Sequence, residues 1–479
     1  MSLSLQAQMR WVNPLEAGAG VQGQGWEDIN KTYVRLPDKA KDTVRGDVWS
    51  LSRNSAGLSL VFRSNAPEMK VRYKVQGGLS MYHMPSTGVS GVDMYATDAD
   101  GVRRWCAPDF TATFTKDSIV YRYSQLDYFP DGASSYEYHL YLPLYNTVEW
   151  LEIGVPEGAE LEFYPASKER PIVVYGTSIA QGACASRPGN CWPNIVEREL
   201  EHPLVNLGFS GNGKLEPELF TLLGEIDACI YIIDCMPNLH ADRHPVYELA
   251  MNGMHMLREA RPDCPILLVE HSGYMNEVSN LSRSEYRKTN SELRRAYNDL
   301  MAEGCKELYY LTSEEIGLGM DGMVEGVHPN DLGMRRQADA IEKKVCEILH
   351  ETTVPYAPCK TLSGSAGSLF DNGTINLGGG SERIENTLWR IFHGGIDGCQ
   401  ARSVYIQVSD SNFATDPVEK IADGINQIVE AVAVRQPGAK IHVCGVRPGS
   451  GNGKKAELLN EVLQYRLHTD KADYMDTTK

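Results

Sequence analysis

The chain has 479 residues, 42% hydrophobic and 23% charged, with 46 basic against 63 acidic side chains and a formal charge of -17. At about 150 residues per domain this length holds about three domains, no apolar run approaches the ~18 residues of a membrane helix, and the acidic balance argues against nucleic acid or an anionic membrane as partner. Eleven cysteines, an odd number without a C-x-x-C pair, do not read as a disulfide scaffold or a zinc motif; Cys184 and Cys191 bracket one loop and would bridge only in an oxidising compartment.

The first residues, Met1-Ser-Leu-Ser-Leu-Gln-Ala-Gln, lack a charged start followed by an apolar core. They fit the remnant of a trimmed signal peptide, which points to a periplasmic or secreted protein while leaving the compartment open. Residues 1–167 are expected to form an all-β sandwich, jelly-roll-like. Leu58-Ser-Leu-Val-Phe-Arg63 is strand-like, and Met69-Lys-Val-Arg-Tyr-Lys-Val75 alternates apolar residues with Lys70, Arg72 and Lys74. Glu137 to Leu144 and Val148 to Val155 continue the pattern, with Gly, Pro and Asn between the runs. Strands without intervening helices imply packed antiparallel sheets.

Residues 168–354 change texture. Apolar runs at Ile172 to Tyr175, Leu204 to Leu207, Cys229 to Ile233, Ile266 to Glu270 and Leu308 to Leu311 alternate with helix-length segments such as Trp192 to Glu201, Val246 to Arg261 and Ser284 to Ala302. That alternation predicts a parallel sheet between two helical layers. Pro355 and Pro358 mark a linker. Residues 355–479 begin Gly/Ser-rich and then show a shorter α/β pattern: a strand at Ser403 to Val408, a helix from Pro417 to Arg435 and a strand at Lys440 to Gly445.

The chemistry concentrates where the central strands end. Tyr175-Gly-Thr-Ser-Ile-Ala-Gln-Gly182 places Ser178 at the carboxyl end of the first strand, where open α/β sheets gather functional groups. Such a serine is a nucleophile if a base and an oxyanion hole accompany it; alone, it reads as the cap of the next helix. The second strand leads into Asn206-Leu-Gly-Phe-Ser-Gly-Asn-Gly213, whose glycines let backbone N–H groups approach a developing oxyanion. The third leads into Ile233-Asp-Cys-Met-Pro-Asn238, which offers a side-chain amide. After the fifth comes Glu325-Gly-Val-His328, where His328 can take the serine proton and Glu325 can fix its tautomer.

The order of these blocks, with Ser178, Gly211, Asn238 and His328, resembles the SGNH (GDSL-like) hydrolases. The resemblance implies that Ser178 is the nucleophile, His328 the base and Glu325 the orienting acid. It also implies that the N–H groups of Ser178 and Gly211 and the Asn238 side chain form the oxyanion hole. The family's G-D-S is Gly176-Thr177-Ser178 here, and its acid is normally Asp. Glu325 adds a methylene, so its bond to His328 is expected to need a shifted backbone; Asp321 is a possible substitute at the wrong spacing. Gly91-Val-Asp-Met-Tyr95 resembles the G-x-D-L-Y signature of a β-sandwich that precedes SGNH domains in a bacterial subfamily, related two-domain members of which are carbohydrate esterases. Asp93 itself reads as a strand-end turn residue.

The tail resembles a damaged second SGNH-like domain of the platelet-activating-factor acetylhydrolase type. Its Asn376 to Arg390 segment stands for the second block, with Ser381 and Ser411 at the glycine and amide positions. Gly364-Ser365 lies too near it for a nucleophile turn, and no acid-x-x-His block follows His468. The tail is expected to be catalytically dead and structural, or else an interface or lid. Other residues read more plainly: His240 and His244 as members of a solvated loop, His271 as lining or bordering the pocket, and Trp192 as core with a sugar platform as the minor alternative. The functional expectation is a cofactor-free, metal-free serine esterase removing a small acyl group, acetyl above all, from an oligosaccharide or other small ester. A short-chain lipid, thioester or aryl substrate, or a non-catalytic carbohydrate-binding protein with a decayed site, is the alternative. The oligomeric state is not legible.

Overall fold

The computed structural model describes residues 8–97, 103–109, 112–126, 135–276 and 284–349, and beyond them 384, 387–388, 391, 402–407, 412–413, 416–436, 438–446, 453–467 and 471–475. The chain divides into two compact units, Met1–Phe129 with Ala133–Thr353, and Pro130–Gly132 with Val354–Lys479.

Among the described residues the first unit opens with the strands β1 (Met9–Val12), β2 (Val21–Gln22), β3 (Ser59–Ser64), β4 (Met69–Val75), β5 (Asp93–Thr97), β6 (Arg103–Cys106), β7 (Thr113–Phe114), β8 (Ile119–Tyr123), β9 (Tyr136–Tyr141), β10 (Val148–Pro156) and β11 (Leu161–Phe163). They form two antiparallel sheets, ordered β1-β10-β4-β8-β7 and β11-β3-β9-β5-β6, with β2 on β3. Both sheets contribute to one core that includes Leu60, Phe62, Val71, Tyr73, Tyr138 and Ile153. In β4 the alternation is complete: Met69, Val71, Tyr73 and Val75 are buried, while Lys70, Arg72 and Lys74 lie on the other face. Each fully buried apolar side chain contributes about 1.5–3 kcal/mol, against about 0–1 for a half-exposed pair such as Arg72–Glu152. The apolar row therefore sets the register.

Five parallel strands follow, β12 (Ile172–Gly176), β13 (Leu204–Gly208), β14 (Ile230–Asp234), β15 (Ile266–Val269) and β16 (Leu308–Leu311), in the order β13-β12-β14-β15-β16. Val173 and Tyr175 face a core built with the helices Pro217–Glu225, Val246–Ala260 and Tyr286–Ala302. Ile172 and Val174 face a second core built with Trp192–Leu200 and Asp331–Leu349. Burial on both faces accounts for the continuous apolar strands. The chain winds outward in one direction to β13 and in the other to β14 and beyond, so β12 is the point of reversal. Its carboxyl end is where a ligand crevice opens in such sheets.

The β-rich part is built into the same cores. Leu36, Ala40, Val44 and Val48 join the first, and Ala56, Met84, Val89 and Leu144 join the second. The two α/β cores thus extend across residue 167, while the core between the two sandwich sheets lies entirely before it.

The second unit contains a parallel sheet of β17 (Ser403–Gln407), β18 (Lys440–Cys444) and β19 (Ala472–Met475), in that order. The helices Val418–Arg435 and Gly453–Arg466 pack on it through Ile421, Ile425, Val429, Leu459 and Leu463. Pro355, Pro358, Gly364, Ser365, Asn376, Ser381, Ser411 and His468 lie outside the described residues.

Candidate active site

Ser178 is the first residue of a short helix, Ser178–Gln181, that begins at the end of β12. The helix is capped by Thr177, whose hydroxyl accepts the Ile179 N–H at 3.3 Å. Ser178 is therefore not the cap, and its hydroxyl is available to another partner: Oγ lies 3.0 Å from His328 Nε2. The helix closes at Gly182, whose φ of +113° is a glycine conformation. Gln181 links this turn to its surroundings, donating to Asn54 Oδ1 and the Leu144 carbonyl at 3.2 Å each and accepting the Ser210 N–H at 2.9 Å. The Tyr145 hydroxyl donates to the Ser178 carbonyl at 3.1 Å. The β-rich part thus holds the serine turn directly.

Glu325 and His328 share a loop closed by a bridge between Met323 and Pro329 and by the Val324 N–H donating to the His328 carbonyl at 2.9 Å. This curl turns the longer glutamate back onto the imidazole. Glu325 Oε1 lies 2.5 Å from His328 Nδ1 and accepts the His328 N–H at 2.9 Å, while Oε2 accepts the Val327 N–H at 3.1 Å. The extra methylene is absorbed by the loop's own hydrogen bonds. Asp321 does not substitute for it: that residue lies exposed in the turn Met320–Gly322, where its carbonyl accepts from the Asn330 amide at 2.8 Å. Burial pushes His328 below the ordinary imidazole pKa; Glu325 opposes this, and nearby His83 adds to it. The net direction favours a neutral ring able to accept a proton.

On the loop that follows β13, the exposed Gly211 adopts φ +69°, and among the described residues its N–H donates to no protein group. Gly213 passes so close to β12 that a Cβ there would lie 2.3 Å from the Gly176 carbonyl oxygen. Its N–H donates to Asn238 Oδ1 at 3.1 Å, which fixes the amide orientation and leaves Nδ2 as a donor. Arg35, fully buried, donates to the carbonyls of Asn206 and Gly208 at 3.2 and 2.6 Å, and Arg45 donates to Asn212 Oδ1 at 2.6 Å. Both arginines come from the β-rich part and hold the loop that presents Gly211.

Asp93 is not a turn residue. It begins β5, is 2% exposed, accepts from Trp105 Nε1 at 2.7 Å and from the Gly189 N–H at 2.9 Å, and pairs with Arg187. Arg187 also donates to the Tyr95 hydroxyl at 2.6 Å. Asp93 and Tyr95 of the Gly91–Tyr95 segment therefore clasp the loop that follows the serine helix. Trp192 is fully buried, which removes the sugar-platform alternative. His271 is buried against the rings of Tyr274 and Tyr286, at 4.3 and 5.2 Å. His240 and His244 interact with each other, the His240 N–H donating to His244 Nδ1 at 3.1 Å. Cys184 and Cys191 are both free thiols. Sequence reasoning did not single out Gln181, Arg35, Arg187, Tyr82 or His83. The ring of His83 lies 5.3 Å from that of His328 and carries Tyr82 stacked at 4.2 Å.

A parallel sheet that gathers a serine, a histidine and a carboxylate at its strand ends has the architecture of a serine hydrolase. Residues 169–346 match the GDSL-like lipase/acylhydrolase family, and residues 9–161 match the domain described as the N-terminus of SGNH-hydrolase-type esterases; the first unit thus pairs a GDSL-like domain with the N-terminal domain found in SGNH-type esterases. A Bacteroides ovatus protein described as a GDSL-like lipase is similar at 29% identity and a TM-score of 0.65, over 72% of this chain and 99% of that one. A salicylyl-acyltransferase from a tetracycline biosynthetic pathway shares the fold, with 17% identity and a TM-score of 0.55 over 71% of this chain and 97% of its own. The platelet-activating factor acetylhydrolase IB subunit alpha2 of Homo sapiens is 32% identical over 87 residues, 18% of this chain. The match spans 36% of that curated relative's length.

Proposed function

We propose that the protein is a serine esterase that removes a small acyl group, acetyl above all, from a carbohydrate hydroxyl. The observation that carries this reading is the relay from Ser178 Oγ to His328 Nε2 at 3.0 Å and from His328 Nδ1 to Glu325 at 2.5 Å. In the proposed reaction His328 takes the Ser178 proton as Oγ attacks the acyl carbonyl. Glu325 holds the Nδ1–H tautomer and stabilises the imidazolium. The carbonyl oxygen, now negative, receives the N–H groups of Ser178 and Gly211 and the Asn238 amide, each such donor worth about 2.7–4 kcal/mol in the transition state. His328 then gives its proton to the departing alcohol, and water, deprotonated by the same ring, releases the acid from Ser178.

The acetyl assignment draws support from the relatives named as acetylhydrolases. The carbohydrate assignment draws on Tyr82, whose ring is 94% exposed beside the His83–His328 pair and offers a flat amphipathic face to a sugar. A second reading, an aryl, thioester or short lipid substrate, is favoured by exposed Met320, Val324 and Leu332 on the segments flanking Glu325 and His328. Initial rates on acetylated oligosaccharides and on aryl esters of rising acyl length separate the two. The first reading requires a fall in kcat/KM beyond two or three acyl carbons, roughly, and a preference for sugar acetates. A rise with chain length would reverse the choice.

We also read 1–167, 168–354 and 355–479 as the domain boundaries and the last segment as a non-catalytic SGNH-like remnant. Altered kinetics or assembly after deletion of 356–479 would instead assign it a lid or interface role.

A further inference from the structure

We propose that His83, Cys184 and His328 form a binding site for a thiophilic divalent cation of the Zn²⁺ class, and that occupancy silences the triad by taking the His328 Nε2 lone pair from Ser178. Coordination stands on the geometry of the three side chains; the silencing rests on the hydrolase reading above. The ligand atoms all lie within 4.8 Å of one another. Tetrahedral zinc, with bonds of about 2.0–2.3 Å, holds its ligands roughly 3.5 Å apart, so side-chain shifts of about an ångström close the site.

Each ligand is prepared by its neighbours. His83 Nδ1 is buried and has no hydrogen-bond partner, an arrangement that a neutral ring nitrogen leaves uncompensated. Tyr82 stacks on the ring and steadies it. Cys184 is buried as a free thiol, and its N–H donates to the Pro329 carbonyl at 3.3 Å, which joins the serine loop to the histidine loop. His328 is oriented by Glu325 through Nδ1, the carboxylate–histidine arrangement that fixes a metal ligand and raises its basicity. Two imidazoles and a thiolate select zinc, cobalt or copper over magnesium or calcium. The Cys184 thiol releases its proton to solvent as the sulfur–metal bond forms, and the fourth position is left to solvent. The ligands come from both parts of the first unit, His83 from the β-rich part and the other two from the α/β part.

The test uses the full chain with Co²⁺ as a spectroscopic probe and Zn²⁺ as the competing ion. The expected result is a thiolate-to-cobalt charge-transfer band at one ion per chain, displaced by Zn²⁺ and absent in Cys184→Ser. Zn²⁺ is expected to inhibit aryl acetate hydrolysis reversibly by a chelator. Cys184→Ser should hydrolyse at the wild-type rate and need at least about tenfold more Zn²⁺ for the same inhibition. Should that variant fail to fold, His83→Gln is expected to weaken Zn²⁺ binding by at least about tenfold in the same titration. Absence of the band, or equal Zn²⁺ sensitivity in wild type and a folded variant, overturns the proposal. A band without any basal hydrolysis would uphold coordination and count against the hydrolase reading alone.

Discussion

At the scale of single residues, the proposed reaction turns on Glu325, the glutamate that holds the His328 ring. Glu325 reaches the imidazole because its carboxylate is also held by the N–H groups of Val327 and His328. Glu325→Ala removes the group that fixes the tautomer and leaves the oxyanion donors, so kcat on an aryl acetate should fall by about 10⁴-fold and remain measurable. Ser178→Ala should fall further, to about 10⁶-fold; equal losses would show that Glu325 is not a separable contributor. The pH profile follows from His328. Its pKa lies below the ordinary 6.5, and only the neutral ring accepts the serine proton. The acid limb of kcat/KM should therefore fall below pH 6.5, with activity lost as pH drops through it. A limb above that value would contradict the burial argument. Glu325 and His328 were legible in the sequence because they lie three positions apart on one loop. Asp93 and His83 were not: Arg187 is 94 positions from Asp93, and no local pattern marks such partners.

At the scale of elements, the parallel strands were readable because burial on both faces leaves continuous apolar runs. Edges were blurrier: β5 and the helices Pro217–Glu225 and Asp331–Leu349 were not singled out, and the strand Ala472–Met475 was passed over. Short or mixed segments of this kind take their structure from packing against distant elements rather than from their own period. One buried carboxyl group sits at the end of a readable strand. Asp234, at the end of β14, is buried and hydrogen-bonded by the Gln337 amide at 3.2 Å. Desolvation pushes its pKa up to about 8. The native state thus holds a proton that the unfolded chain has lost, and stability contributed by this group declines as pH rises from about 4 to 8. Asp234→Asn should be nearly neutral at pH 5 and stabilising at pH 9, on the order of 3 kcal/mol. Urea unfolding at the two pH values checks this, and a pH-independent difference would refute it.

At the scale of the molecule, the β-rich part of the first unit is a structural half of the site rather than an appendage. Arg35 and Arg45 hold the Gly211 loop, Tyr145 holds the Ser178 carbonyl, and Asp93 clasps Arg187. Asp93→Ala would leave the Arg187 guanidinium without its carboxylate at a mostly buried contact. The expected loss is about 2–3 kcal/mol of stability, below the range for a fully buried pair because Arg187 is partly exposed. A single unfolding transition of residues 8–349 should shift as a whole in calorimetry; separate melting of the two parts would show that they do not share cores. The composition announced a β part and an α/β part, but the mutual burial of Leu36, Val48 and Leu144 in the α/β cores was invisible without the fold. The most direct test of the central claim is intact-mass analysis after treatment with a fluorophosphonate, alongside residual esterase activity. One phosphonyl adduct per chain, on Ser178, with activity lost in proportion, is the predicted result. Adduct formation elsewhere, or aryl acetate hydrolysis by Ser178→Ala at the wild-type rate, would contradict it.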